Sequence, residues 1–293
     1  MSTTGPFGWQ GTEKTLERED GTRLFTTSAG EGPPVVLAHG YLDEHLGQLD
    51  IATRLVRAGR RVILFDQRGH GRSTIGREGM TPAAMAADYV EVLTKHEVTD
   101  GVLMGHSMGG FLTTVFSILH PKIAKERLKG LVLVSAHAGD VAAGSPQNKV
   151  QIKLIEHGVM GLAVRAKPLA RVIARSLFGK VVRPEWLDLS AETFQRADLK
   201  GTLPILKAQV EQSFYGRLSE IPIPAIVVCG EADKTCPRSH SERLGAKIPG
   251  SRNVWLPDIG HIVNFERPEA VVDAVEEQLR RPSSASSSAR AEA

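Results

Sequence analysis

A serine, an aspartate and a histidine follow one another along the 293-residue chain, each among loop-forming residues. Ser107 lies in the segment G-H-S-M-G-G, Asp233 in G-E-A-D-K-T-C-P, and His261 in P-D-I-G-H-I-V-N. A serine hydroxyl is a weak nucleophile until a base removes its proton, and that base needs a third group to orient it. These residue types therefore predict nucleophilic catalysis, with Ser107 as nucleophile, His261 as base and Asp233 as orienting acid.

The segment around Ser107 has the sequence context of a strand that turns sharply into a helix. Residues 101–104 form a short apolar run, and apolar residues recur at helical spacing over 111–120. A G-x-S-x-G pattern in this context lifts the serine above a sheet, and its glycines let strand and helix approach closely. The backbone N–H of Met108 would then lie at the helix N-terminus, where it can stabilise an anion. The competing reading is a chance pattern in a Gly-rich loop.

Other residues compete for these roles. Asp140 follows another predicted strand and is the rival for the orienting acid. The alternative interpretation of His261 is a histidine of a surface loop, because the chain has ten histidines. We interpret His39, His70 and His106 as residues that shape their loops rather than as bases.

Apolar runs typical of buried strands alternate with helical patterns along most of the chain. The predicted strands include residues 35–38, 62–65, 101–104, 131–135, 225–229 and 253–256. This alternation predicts an α/β fold with a mostly parallel sheet and helices on both faces. All three candidate residues then follow strands and lie at the carboxyl edge, where open α/β sheets bind ligands.

The alternation stops over residues 137–216, where helical periodicity continues without a clear strand. We expect this segment to be a helical cap over the strand ends, inserted into a core of residues 11–136 and 217–280. Residues 1–10 are predicted to be a flexible N-terminus, and the Ser- and Ala-rich residues 281–293 a disordered tail.

Together these motifs resemble the α/β-hydrolase superfamily in its capped, serine-dependent form. The resemblance spans residues 20–280, and it includes H-G-Y at 39–41 and D-x-R-G-x-G-x-S at 66–73. The order serine, aspartate, histidine along the chain is also the order of that superfamily. The resemblance implies that Tyr41, after the His-Gly pair, provides a second oxyanion N–H beside that of Met108.

The resemblance implies an esterase or lipase-like enzyme that hydrolyses lipid-type or small acyl esters through an acyl-enzyme intermediate, without a metal or organic cofactor. Superfamily members that act on epoxides or haloalkanes use an aspartate where this chain has Ser107, so those reactions are disfavoured. C–C bond hydrolases, thioesterases and cofactor-free perhydrolases stay open as alternatives with the same three residues. A ligand receptor built on a hydrolase fold also stays open. Asp66 and Arg68 resemble the structural loop of the family, for which a buried ion pair or hydrogen-bond network is expected.

The composition is that of an ordinary globular protein, because 41% of the residues are hydrophobic and 24% are charged. The formal net charge of +3, without a run of Lys and Arg, argues against nucleic acid binding.

The N-terminal residues do not have the pattern of a signal peptide, and no apolar run reaches about 18 residues, so we expect a cytoplasmic protein. Two cysteines, Cys229 and Cys236, do not make a disulfide framework, although one bond between them stays open. The oligomeric state is not predicted by these features.

Residues 149–183, within the predicted cap, carry eight Lys and Arg against one acid, Glu156. Apolar residues alternate with the basic ones, a pattern that favours contact with an anionic lipid surface or an acidic substrate. Peripheral contact with an anionic membrane is therefore one expectation. The alternative is a solvated cap helix whose apolar face packs on the sheet domain.

Overall fold

The computed structural model describes residues 6–180 and 182–282, and eight strands within them form one sheet. The strands are β1 (Thr12–Glu17), β2 (Arg23–Ala29), β3 (Pro34–Ala38), β4 (Arg61–Phe65), β5 (Gly101–His106), β6 (Leu128–Val134), β7 (Ala225–Gly230) and β8 (Arg252–Leu256). The strands from β3 onward, apart from β8, are almost entirely buried, because helices cover both faces of a parallel sheet.

The order of the strands in the sheet is β1-β2-β4-β3-β5-β6-β7-β8. Strand β2 is antiparallel to both of its neighbours, and all other neighbouring strands are parallel. Ala38 at the end of β3 pairs with Phe65 of β4 and with Gly105 of β5, so these strands end at one edge. This sheet confirms the predicted α/β fold.

Twelve α-helices occur among the described residues, and six of them have a proline in their first turn. They are α1 (Leu49–Arg57), α2 (Pro82–Lys95), α3 (Met108–Leu119), α4 (Pro121–Arg127), α5 (Gln147–Glu156), α6 (Val159–Arg165), α7 (Lys167–Arg175), α8 (Pro184–Arg196), α9 (Leu203–Glu211), α10 (Arg238–Lys247), α11 (Val263–Glu266) and α12 (Pro268–Leu279). Helix α2 also has a side-chain cap: Thr81 Oγ1 accepts a hydrogen bond from the N–H of Ala84, and Pro82 occupies the first helical position.

The core is divided by the sheet into two layers. Successive strand residues point to opposite faces, so Val35 and Leu37 of β3 pack in the layer formed with α1 and α12. Val36 and Ala38 pack in the other layer, with α2 and α3. Because β3 is buried on both faces, the loop that follows it starts from a rigid position beside the end of β5.

Helices α5 to α9 all lie between β6 and β7 in the chain, inside the segment expected to form a cap. They share a third apolar cluster that includes Val164 of α6, Ala174 of α7 and Phe194 of α8. Leu42, from the loop after β3, belongs to the same cluster, so these helices pack directly on the strand-end loops. A β-bridge between Gly139 and Ser213 joins the two ends of the segment.

Several expectations about the periphery can be compared with the structure. Of the predicted flexible N-terminus, residues 1–5 lie outside the described residues, whereas Trp9 is buried and its Nε1 donates to Thr27 Oγ1 at 3.2 Å. The predicted disordered tail lies, from residue 283 onward, outside the described residues. Cys229 and Cys236 are both buried and free, so they do not form a disulfide. Among the helices within 6–180 and 182–282, none has the length and apolar character needed to cross a membrane.

Candidate active site

Ser107 lies at the turn between β5 and α3, in a conformation that non-glycine residues rarely adopt. Its φ is 53° and its ψ is −116°, a strained combination that places its side chain above the strand end. The two flanking glycines make this turn feasible. A Cβ on Gly105 would lie 2.4 Å from the carbonyl oxygen of Gly109, and a Cβ on Gly109 would lie 2.4 Å from that of Ala38. Strand and helix are therefore as close as the G-x-S-x-G pattern predicts.

The structure brings Ser107, His261 and Asp233 into one chain of hydrogen bonds. Ser107 Oγ lies 3.0 Å from His261 Nε2, and His261 Nδ1 lies 2.8 Å from Asp233 Oδ2. All three residues are buried. The other carboxylate oxygen, Asp233 Oδ1, accepts from the N–H groups of Thr235 at 2.8 Å and Cys236 at 2.9 Å. These two bonds fix the carboxylate, so its free oxygen faces the imidazole and holds the proton on Nδ1.

The rival acid does not take part in this chain. Asp140 lies after β6 with a φ of 49°, and its N–H donates to the carbonyl oxygen of Gln212. The His261 ring instead pairs with Asp233, which follows β7. The choice between the two aspartates could not be settled from sequence, because both follow parallel strands that end at the same edge.

A residue that sequence reasoning missed holds the loop that carries His261. Glu266 accepts from the N–H of Gly260 at 3.0 Å and from that of Gly179 at 2.8 Å, and the N–H of His261 donates to Leu177 at 2.7 Å. Burial raises the pKa of Glu266 to about 7, although these two hydrogen bonds oppose the rise. The segment after α7 is thus joined to the histidine loop. No local signal marks this role, because its partner is 87 residues away.

The two residues expected to form an oxyanion hole belong to two segments that lie beside Ser107. Met108 is the first residue of α3, where backbone N–H groups have no partner within the helix. Gly40 lies so close that a Cβ on it would be 3.4 Å from the Cβ of Ser107, which brings the loop containing Tyr41 beside the hydroxyl. The Tyr41 hydroxyl lies 3.3 Å from Thr202 Oγ1, so its side chain faces the cap helices.

His106 and His39, beside the strand ends, are held neutral. Burial, together with a smaller effect of the neighbouring His261, lowers the pKa of His106 to about 3. His106 Nε2 lies 3.0 Å from the carbonyl oxygen of His261, to which it must donate. Burial also lowers the pKa of His39 to about 3; its Nδ1 donates to Gly40 and its Nε2 accepts from the N–H of Gln67. Both histidines connect loops, which agrees with the role we expected.

Asp66 and Arg68 are buried in hydrogen-bond networks, but with different partners. Arg68 donates to both oxygens of Asp88 at 2.7 Å and to Asp20 at 3.1 Å. Asp66 accepts from the N–H and the ring of His45, at 2.8 and 2.9 Å. The loop after β4 is therefore fixed on two sides.

One group of metal-ligand types occurs among the described residues. Potential ligand atoms of Glu44, His45 and Asp66 lie within 4.8 Å of one another. Each already has a partner, because His45 donates to Asp66 and Glu44 pairs with Arg196 of α8. We interpret this group as a structural connection between the strand-end loops and α8.

A cavity of about 510 Å³ opens above Ser107 and His261, between the strand-end loops and the cap helices. Its lining is mostly apolar and comes mainly from the cap and from the loops, as with Leu42, Leu154, Met160, Val164, Ile173 and Phe194. Two residues of ordinarily charged type, Asp43 and Lys234, also line it. Burial raises the pKa of Asp43 to about 7, so its charge is weakened near neutral pH. The cavity suits an uncharged, apolar ligand.

Comparisons with known proteins agree with this architecture. The family model described as "Alpha/beta hydrolase family" matches residues 35–274. A putative non-heme chloroperoxidase from Synechocystis is 26% identical over 85% of this chain and 91% of its own length. An sn-1-specific diacylglycerol lipase from Xenopus tropicalis is 41% identical over 103 residues, which cover 35% of this chain and 32% of the lipase. The structure of a thermophilic esterase from Thermogutta terrifontis aligns with a TM-score of 0.75 and 26% identity, covering 93% of this chain and 98% of the esterase.

Proposed function

Because the chain belongs to the alpha/beta hydrolase family, we propose that it is a serine hydrolase that cleaves carboxylic esters through an acyl-enzyme intermediate. One observation carries this proposal. Ser107, His261 and Asp233 form a hydrogen-bonded chain at the floor of a mostly apolar cavity. A serine, a base and an orienting carboxylate in that arrangement have the roles required for acyl transfer.

In the first half of the proposed reaction, Ser107 Oγ attacks the ester carbonyl carbon while His261 Nε2 takes the hydroxyl proton. The tetrahedral intermediate collapses, and His261 gives that proton to the departing alcohol. In the second half, His261 takes a proton from water, whose oxygen attacks the acyl-enzyme. The carboxylic acid leaves and Ser107 regains its proton. Asp233 stabilises the positive charge that the imidazole carries in both halves.

The carbonyl oxygen becomes negative in each tetrahedral intermediate and needs hydrogen-bond donors. We assign the backbone N–H groups of Met108 and Tyr41 to this role. The position of Met108 at the start of α3 adds the partial positive charge of the helix N-terminus. Two aimed donors of this kind contribute on the order of 3 kcal/mol each to the transition state, more than they contribute to the neutral ester.

The cavity supports a lipid-type or other apolar acyl group as the substrate class. Most of its exposed surface is apolar, its polar lining is largely uncharged amide and hydroxyl groups, and the raised pKa of Asp43 limits charge there at neutral pH. The relatives named as an esterase and as a diacylglycerol lipase are consistent with an ester substrate. Acyl esters with a charged chain should be poor substrates, because the cavity would have to desolvate that charge.

A panel of p-nitrophenyl esters with acyl chains from two to twelve carbons tests the proposal, with one thioester included. We expect turnover that Ser107→Ala abolishes and that Ser117→Ala leaves unchanged. Ser117 is the matched control, because it is a buried serine of α3 that bonds to Thr113 and does not line the cavity. Equal rates for wild type and Ser107→Ala would refute the proposal. A preference for the thioester would indicate thioesters as the substrate class and would leave the proposed mechanism unchanged.

A second candidate is perhydrolysis, which the chloroperoxidase relative favours. Hydrogen peroxide would replace water in the second half of the reaction. His261 would take its proton, and the peroxide oxygen would attack the acyl carbon to release a peracid and free Ser107. The measurement is peracid formation from acetate and hydrogen peroxide, with Ser107→Ala as the blank. A peracid rate far above the hydrolysis rate would favour this candidate.

A further inference from the structure

Helices α6 and α7 expose large aliphatic side chains that the fold does not cover. Leu162 is 70% exposed and Val159 is 49% exposed on α6, while Val172 is 66% and Leu169 is 52% exposed on α7. Each pair is three residues apart, so its members lie on one side of their helix. We call these four residues the cap face.

The opposite sides of the same two helices are also apolar, and these sides pack against the rest of the protein. Met160, Val164 and Ile173 line the cavity above Ser107, and Ala174 packs in the cap cluster. Helices α6 and α7 therefore form a wall between the cavity and solvent that is apolar on both sides. The inner side explains the packing of the cap, and it leaves the cap face without a role in the folded chain.

Basic groups surround the cap face. Arg165 at the end of α6 and Lys167 at the start of α7 are exposed, and a groove beside α7 is lined by Lys167, Arg171, Arg175, Val172 and Leu187. Lys167 and Arg171 share a single partner, Asp188 of α8, at 3.4 and 2.5 Å, and Lys167 also approaches Glu192 at 3.8 Å. With the acids of α8 included, the segment from Gln147 to Arg196 has nine Lys and Arg against four acids, so an excess of positive charge remains.

We propose that the cap face docks on an anionic phospholipid surface, with its four aliphatic side chains at the acyl boundary and the basic groups on lipid phosphates. Exposed Leu and Val bordered by Lys and Arg are the composition of helices that lie in a membrane interface. A protein partner would instead be anchored by aromatic residues in a central pocket, which this face does not offer. The docking depends on α6 and α7, and it does not depend on which bond the enzyme cleaves.

Vesicle co-sedimentation tests the docking, with Ser107→Ala as the host protein so that no lipid is consumed. We expect binding to vesicles of phosphatidylcholine with phosphatidylglycerol, and little binding to phosphatidylcholine alone. Binding should weaken in high salt, because salt screens the phosphate contacts. Adding Leu162→Ser and Val172→Ser should lower partitioning about tenfold or more, since both side chains would lose burial in lipid. Adding Arg165→Gln and Lys167→Gln should remove the preference for anionic lipid.

The matched control is Leu119→Ser with Lys122→Gln, at the end of α3 and the start of α4. Helix α3 runs away from Ser107, so this site lies at the edge of the sheet opposite the cap. The control should bind vesicles like the host. All variants are first checked for an unchanged thermal unfolding midpoint. The same changes are also made in a protein that keeps Ser107, where hydrolysis of a short soluble ester should be unchanged.

Three outcomes would overturn the docking. These are negligible binding to every vesicle, binding that both double changes leave intact, and a dimer that forms through Leu162 and Val172 in place of vesicle binding. Failure of the proposed hydrolysis gives a different result, because vesicle binding would then persist in a protein that turns over no ester.

Discussion

The loop after β4 and helix α7 each carry an arginine that pairs with aspartate. The two arginines differ in their burial and in the number of their partners. Arg68 is fully buried and donates to two carboxylates, Asp88 and Asp20. Arg171 lies on the cap, its side chain is 35% exposed, and its partner Asp188 is shared with Lys167. A buried charge without its partner is costly, whereas an exposed pair is weak and screened by salt.

This difference distinguishes the strand-end loops, which position Ser107, His261 and Asp233, from the cap helices, which cover the cavity. Asp233 is held at the end of β7 by buried backbone hydrogen bonds, and the loop after β4 is held by the buried ion pairs of Arg68. The cap is held there by its apolar cluster and by partly exposed ion pairs, with the half-buried Glu266 as a connection to the histidine loop. We therefore expect changes in the sheet domain to alter rate and stability strongly, and changes in the cap ion pairs to alter them little.

The largest effect is expected for Asp233→Asn. The amide cannot hold the proton on His261 Nδ1 as the carboxylate does, so we predict that kcat falls by about 10³- to 10⁴-fold. Steady-state hydrolysis of the best ester from the panel measures it. Asp140→Asn is the matched control and should stay within about threefold of wild type, because asparagine tolerates its positive φ. The opposite ranking would assign the acid to the strand end after β6.

The next effect is on stability, for Arg68→Met. This change removes the buried cation from Asp20 and leaves Asp88 with only the half-buried Arg18, so we predict a loss of about 3–5 kcal/mol in the free energy of unfolding. Denaturant unfolding followed by far-UV circular dichroism measures it. A loss below about 1 kcal/mol would show that this network does not hold the strand-end loops.

The same network predicts how stability depends on pH. Burial opposes ionisation of Asp20, but hydrogen bonds from Thr22 and the charge of Arg68 outweigh it and lower its pKa from 3.8 to about 2. The folded state therefore favours the carboxylate, so this contribution is present above about pH 4 and is lost as pH falls toward 2. We expect roughly 2 kcal/mol of pH-dependent stability from this group. Comparing wild type with Asp20→Asn between pH 2 and pH 6 should show a smaller pH dependence in the variant, and identical pH dependence would contradict the assignment.

The smallest effect is expected for Arg171→Met on the cap. Its ion pair with Asp188 is partly exposed to solvent, so we predict a loss of no more than about 1 kcal/mol in the free energy of unfolding. Denaturant unfolding, measured as for Arg68→Met, gives the stability loss of this variant for comparison with that of the buried arginine. A loss as large as that of the buried arginine would mean that cap and core are equally dependent on their ion pairs.

The sequence predicted those features that depend on local pattern. The strand before Ser107, the helix after it and the two close glycines follow from residue types within a dozen positions, and the structure has all of them. The sheet class follows from the alternation of apolar runs with helical patterns. Asp233 could be favoured over Asp140 only through the family resemblance, since both positions are equivalent in local terms.

Features that depend on distant contacts could not be predicted in this way. The role of Glu266 requires Gly179 to lie beside Gly260, and only the folded cap brings them together. The basic residues of α7 were counted in the sequence, but their partner Asp188 lies on the next helix, so the local sequence overstated the unpaired charge. Likewise, the exposed cap face was not distinguishable by periodicity from the side of the same helices that lines the cavity.

The central claim is that Ser107 is the activated nucleophile of this chain, and covalent labelling with a fluorophosphonate tests it most directly. The serine oxygen would bond to phosphorus as fluoride leaves, and mass spectrometry would locate the adduct. We predict one adduct per chain, on the peptide that contains Ser107, with much slower labelling in Asp233→Asn and none in Ser107→Ala. An adduct on another residue, or equal labelling of the Ser107→Ala protein, would contradict the account.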